Sequence, residues 1–175
     1  GGRGPGGGGP MMGMMGGGNG QGRWNLSVFH MVRFNDFALV APGGPYIDQL
    51  DGGSLGGTGV ARHALELEGG AFHKGFGLRF NGTWQSPTRI KGTSDLRFGS
   101  AFKLNLRAFV DFDRQKGLVE SIPLLKGARL ALTVDNLFDS HQRVTDASGM
   151  VPISYQEDML DPKGRMIGID FRKIF

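Results

Sequence analysis

The chain closes on Gly164-Arg165-Met166-Ile167-Gly168-Ile169-Asp170-Phe171-Arg172-Lys173-Ile174-Phe175, and a period of two runs through this stretch to its final residue. Counted back from the end, Phe175, Lys173, Phe171, Ile169 and Ile167 form one mostly apolar row. Arg172, Asp170, Gly168 and Met166 form a mostly polar row opposite. Successive strand side chains point to opposite faces, so the pattern predicts a strand with one apolar and one wet side. A terminal strand ending on an aromatic is uncommon in a water-soluble domain, whose last residues fray. It suits an outer-membrane β-barrel, whose strands turn one face to lipid and set aromatics at the membrane edge.

The same alternation recurs upstream. From Arg23 to about Asn35, Trp24, Leu26, Val28, His30, Val32 and Phe34 share one face, with Trp24 suited to an interfacial girdle. Two further strands read as a hairpin about Lys74-Gly75. Its register places Leu65 opposite Trp84, Leu67 opposite Gly82, Gly69 opposite Phe80 and Ala71 opposite Leu78. Glu66 then faces Thr83, Glu68 faces Asn81 and Gly70 faces Arg79; a slip of one residue would carry each apolar row to the wet side. Glycine opposite Phe80 leaves room for the ring to lie across the strand pair. A fourth strand spans about Phe98 to Phe112 and a fifth about Ala128 to Asp135.

The connections alternate in length. Asp36 to Val60, punctuated by Pro42-Gly43-Gly44-Pro45, and Ser140 to Lys163 are long and rich in turn formers, which in a barrel belong on the extracellular side. A short loop through Arg89, Lys91 and Asp95 joins strands three and four, and Asp113 to Gly127 reads as a turn rather than a helix. The predicted fold is all-β: an antiparallel up-and-down meander of about six strands, forming part of a transmembrane β-barrel. Six strands cannot close a transporter-sized barrel, and an open sheet edge in lipid leaves backbone groups unpaired at several kcal/mol each. The chain alone is therefore not expected to insert stably, and it reads as either a processed product or a fragment of a longer chain, with residues 23–175 as C-terminal barrel segment and residues 1–22 as a Gly- and Met-rich flexible tract. That tract holds Met11-Met12 and Met14-Met15 and has too little apolar surface to offset its backbone entropy.

The 175 residues carry 20 Lys and Arg against 16 Asp and Glu, a formal charge of +4, scattered rather than clustered. This fits a wet lumen and charged loops better than a nucleic-acid surface. Cysteine is absent, which removes disulfide frameworks and thiolate chemistry. No stretch approaches the roughly 18 apolar residues of a membrane helix. His30, His63, His73 and His141 fall on separate strands or loops without the spacing of a zinc helix, and read as wet interfacial residues. Asp51-Gly52-Gly53-Ser54-Leu55-Gly56-Gly57 reads as a loop, since no strand-loop-helix context supports a phosphate cradle. The lumen-facing candidates by parity are Glu66, Glu68, Arg79, Arg107, Asp111, Arg129, Asp170 and Arg172, with the carboxylates expected to offset the arginines. No catalytic residues, metal ligands or cofactor are expected.

One ordered set of segments carries a family resemblance. Leu132-Thr133-Val134-Asp135-Asn136-Leu137-Phe138-Asp139, then Gly149 to Pro152, Tyr155, and Asp161-Pro162-Lys163-Gly164-Arg165 leading into the final strand, resemble the C-terminal end of TonB-dependent outer-membrane receptors. The Ser140-His141-Gln142 run departs from the family, which carries an aromatic there. The resemblance implies the closing strands of a large plugged barrel in the bacterial outer membrane, bathed in outer-membrane lipid. It implies energised uptake of a bulky nutrient such as a metal chelate or glycan, powered by a TonB complex that acts through an N-terminal plug. It further implies that the row Ile167, Ile169, Phe171, Lys173 and Phe175 is read by the barrel-assembly machinery through strand addition. Two other readings remain: a small self-associating structural or adhesive outer-membrane barrel, and a soluble Gly-rich nucleic-acid-binding β-protein.

Overall fold

A computed structural model of the chain describes residues 22–54, 56–92 and 95–174. In chain order the strands are β1 (Arg23–Val32), β2 (Phe37–Leu39), β3 (Tyr46–Asp48), β4 (His63–His73), β5 (Phe76–Gln85), β6 (Thr88–Ile90), β7 (Leu96–Phe98), β8 (Ala101–Asp111), β9 (Ala128–Asp135), β10 (Val144–Thr145) and β11 (Met166–Lys173). The six long strands form one antiparallel sheet in the order β1-β4-β5-β8-β9-β11, so every strand pairs with the next long strand in sequence. This is the expected six-strand meander. The tract 1–22, apart from Gly22, and Phe175 lie outside the described residues.

The β4–β5 hairpin takes the register that the alternation predicts, with Leu65 opposite Trp84, Gly69 opposite Phe80 and Gly70 opposite Arg79. Lys74 and Gly75 both adopt positive φ, 48° and 88°, the two-residue turn whose twist matches the flanking strands. The ring of Phe80 lies across Gly69, where an added Cβ would collide with it. Missing side-chain volume on one strand is thus filled by an aromatic from its neighbour.

The connections hold more structure than their composition suggests. Phe37–Leu39 and Tyr46–Asp48 pair as a small hairpin around the Pro42-Gly43-Gly44-Pro45 turn. The connection through Arg89 and Asp95, expected as a plain loop, is the β6–β7 hairpin, closed by a bidentate Arg89–Asp95 ion pair at 2.6 Å. The turn expected over Asp113 to Gly127 contains the helix α1 (Lys116–Ser121) between two 3-10 turns, Phe112–Arg114 and Pro123–Leu125. Of the residues that argued against a helix, Pro123 opens the following 3-10 turn and Gly127, with φ of 72°, ends the connection, while Gly117 is accommodated inside α1.

The buried apolar cluster sits outside the large sheet, whose strand β9 separately buries Ala128, Ala131 and Val134. β10 pairs with β7, which pairs with β6, and this small sheet buries Leu96, Phe98 and Val144 against Ile90, Tyr155 and Leu160. Phe98 and Val144 are 1% and 0% exposed. The β1–β4, β5–β8 and β9–β11 connections all contribute to this unit at one end of the sheet. The Tyr155 hydroxyl donates to Gly57 O at 3.2 Å, Tyr155 packs edge-on to Phe98, and Lys91 pairs with Asp51 at 2.7 Å.

Candidate functional site

The large sheet divides into two chemically distinct faces. Register places Trp24, Leu26 and Val28 of β1 in line with Ala71, Gly69 and Leu67 of β4, and these with Leu78, Phe80 and Gly82 of β5. The rows continue through Ala108, Leu106 and Leu104, then Leu132 and Val134, to Ile169 and Ile167 on β11. No layer of described residues covers this face: Trp24 is 78% exposed, Ile169 77% and Ile167 67%. A sheet in water normally hides such a face against a second layer.

The opposite face carries every lumen-facing candidate. Glu66 and Glu68 lie on β4, Arg79 on β5, Arg107 and Asp111 on β8, Arg129 on β9, and Asp170 and Arg172 on β11, all with one parity. Asn25, Glu68, Arg79, Asn81, Asn105 and Arg107, together with Phe80 and Leu106, line an open hollow of about 360 Å³. The hollow offers hydrogen-bonding amides and charges of both signs to whatever fills it.

The expectation that carboxylates offset arginines on this face is not met. Arg79 and Arg107 stand directly opposite each other, a placement that costs free energy without a counter-ion. Among the described residues neither forms an ion pair, and neither do Glu66 and Glu68. Asp111 and Arg129 are cross-strand neighbours, yet the Asp111 carboxylate accepts from the amide of Asp113, and Arg129 lays its guanidinium 3.9 Å from the centre of the Phe109 ring. Phe109 stacks on Phe72, and the Arg114 guanidinium lies 5.4 Å from the centre of the Phe72 ring, so cation–π contacts gather at this end of the face.

Two of the segments carrying the family resemblance, 136–139 and 161–165, meet where β9 gives way to the last long connection, while Tyr155 lies in the loop unit on Phe98. Asn136, 5% exposed with φ of 52°, accepts from Ser140 N at 2.9 Å, donates its side-chain amide to Ser140 O at 3.1 Å, and donates its backbone N–H to Asn105 Oδ1 at 3.0 Å. Leu137 N donates to Leu104 O, and Phe138 packs on Phe102 with centroids 5.9 Å apart. Asp139 accepts from Arg165 N at 2.7 Å, and Gly164 sits beside the same carboxylate. Asp161 pairs with Lys103, whose ammonium holds the Asp161 carboxyl below the ordinary aspartate value. Pro162 is exposed in the approach to Gly164. Of the terminal row, Ile167, Ile169 and Phe171 are exposed on the apolar face, and Lys173 donates to Leu124 O at 2.8 Å.

In the loops, hydrogen bonds from Lys91, Arg89 and Ser148 lower the carboxyl pKa values of Asp51, Asp95 and Asp146 respectively. Among the described residues no group of three or more His, Asp or Glu side chains gathers as a metal site, and no helix is long and apolar enough to cross a membrane. Sequence reasoning missed one juxtaposition: His30 and His63, thirty-three residues apart, face each other across β1 and β4. Pattern within either strand carries no signal for it. Comparison with known protein families, with curated proteins and with solved structures finds no match for this chain.

Proposed function

We propose that this chain forms closing strands of an outer-membrane β-barrel of the TonB-dependent receptor type, taking part in energised uptake of a bulky nutrient. The observation that carries the reading is the uncovered apolar face, continuous over six strands and backed by a charged face. Lipid is the solvent such a face fits, and a water-filled or plugged lumen fits the other. Aromatic rings frame the apolar band: Trp84, Phe102 and Phe138 at the loop end, Trp24, Phe76 and Phe171 at the turn end. From Phe76 to Trp84 is about 27 Å along the strand, which a tilt of about 40° reduces to about 21 Å, close to the height of a barrel's apolar band.

Mechanistically, the loop unit built on Phe98 and Val144 presents a shaped surface at the outer mouth for capture. The lumen hollow around Arg79 and Arg107 holds a plug segment, and the plug moves when a periplasmic TonB complex pulls it. The outer edges of β1 and β11 are free among the described residues and pair with further strands of the barrel.

The test is to express residues 23–175 and, separately, the reading frame extended upstream, and to assay insertion into lipid vesicles by heat-modifiable gel migration and protease protection. A compact, protected band from the extended chain supports the reading. A short chain that stays monomeric and soluble without detergent overturns it, because its apolar rows would then be packing on each other.

A further inference from the structure

The His30 and His63 rings face each other across the β1–β4 pair with Nε2 of His30 and Nδ1 of His63 3.3 Å apart, and their planes lie 20° from parallel at 5.5 Å between centroids. Both side chains stand on the apolar side of the sheet at the loop end, His30 in the row of Leu65, Trp84 and Phe102, and both are open to solvent. Two neutral imidazoles this close share one N–H between two ring nitrogens. A metal ion held by both nitrogens sits to one side of the N···N line, because 3.3 Å is too short to seat it between them. With metal–nitrogen bonds of about 2.0–2.1 Å, donors at this separation subtend about 105° at the metal, close to the tetrahedral angle.

From this geometry we infer that His30 and His63 form an open two-histidine site for a divalent first-row transition ion of the zinc or copper kind, on the outer face of the sheet. Imidazole nitrogens suit these ions, and neutral histidine is the ligating form. No third His, Asp or Glu among the described residues joins the pair, so water or an external oxygen donor fills the remaining positions. The bound ion clips the edge strand β1 to β4 across the sheet and places positive charge at the loop end of the apolar face. The site depends only on the β1–β4 register and not on the membrane reading.

The test titrates the full 175-residue chain, in detergent micelles and in plain buffer, with Zn²⁺ by calorimetry and with Cu²⁺ by electron paramagnetic resonance. One ion per chain is expected at this site, with hyperfine splitting from two nitrogens. His30→Gln and His63→Gln should each abolish that signal, and His73→Gln and His141→Gln should leave it intact. Far-UV circular dichroism of each variant checks that the β-structure persists. Should one variant fail to fold, the nitrogen count in the unmodified chain still decides. A one-nitrogen spectrum, binding unaltered in folded His30→Gln and His63→Gln, or equal losses in all four variants overturns the site.

Discussion

Asp139 accepts a 2.7 Å hydrogen bond from the backbone amide of Arg165, joining the end of β9 to the start of β11 across a connection of twenty-six residues. Asp139 is itself held by φ of 53° and by its amide bond to Asn136 O at 2.9 Å, so the contact fixes where the last strand enters the sheet. Asp139→Ala should lower stability by about 0.5–1.5 kcal/mol, and Asp139→Asn, which keeps an acceptor, should recover most of it. The midpoint of the heat-modifiable gel transition measures both.

Gly69 should not tolerate a side chain while Phe80 is present. An added Cβ meets the Phe80 ring and lies 2.9 Å from Asn25 O. Gly69→Ala is expected to cost about 1–3 kcal/mol, the range for overpacking a filled site. A cycle with Phe80→Leu should return part of that cost as a coupling energy. Gly168→Ala serves as the control, since nothing lies within 4 Å of a Cβ built there.

Ile167 lies midway between the two aromatic rows, in register with Val134 and through it with Leu106 and Phe80. Ile167→Arg should therefore destabilise the vesicle-inserted protein by about 2–4 kcal/mol, as for a charge near the bilayer midplane. Thr133→Arg, on the polar face, should cost far less. Equal effects of the two substitutions in urea titrations of vesicle-inserted protein would count against a lipid-facing surface.

Phe98 anchors the loop unit rather than the sheet. Phe98→Ala should cost that unit about 3–5 kcal/mol, the usual range for emptying a buried aromatic site. Limited proteolysis is expected to cut within residues 86–100 and 140–163 in the variant, with the large sheet still protected.

Asp161 and Lys103 supply the pH dependence. The ammonium lowers the Asp161 carboxyl from its usual 3.8, so the ion pair's contribution is fully present above that value and is lost as pH falls through the lower folded-state value. The junction should stay closed through mildly acidic conditions and loosen only below about pH 3.8. Asp161→Asn should remove that acid transition, seen as the pH of onset of proteolysis between β10 and β11, with a loss of about 0.2–1 kcal/mol for a part-exposed pair.

Sequence alone determined the six long strands and the register of the β4–β5 hairpin. The Lys74-Gly75 turn fixed the β4–β5 register, and alternation at Leu65 to Ala71 and at Leu78 to Trp84 agreed with it, because a one-residue slip would carry the apolar rows to the wet side. The glycine opposite Phe80 was legible for the same reason, and Ala128–Asp135 was read with its bounds intact. The Asp139–Arg165 bond that joins the end of β9 to the start of β11 was not legible in either segment. What only the tertiary structure decided lies between the long strands. The β6–β7 hairpin, the helix α1 and the core of Phe98 and Val144 depend on contacts between segments far apart in sequence, where Gly- and Pro-rich composition reads simply as loop. The charge pattern of the polar face belongs there as well: parity placed Arg79, Arg107, Asp111 and Arg129 together, but side-chain reach decided that Arg129 would stack on Phe109 rather than meet Asp111. The pairing of His30 with His63 is set wholly by strand register, a property of two segments at once.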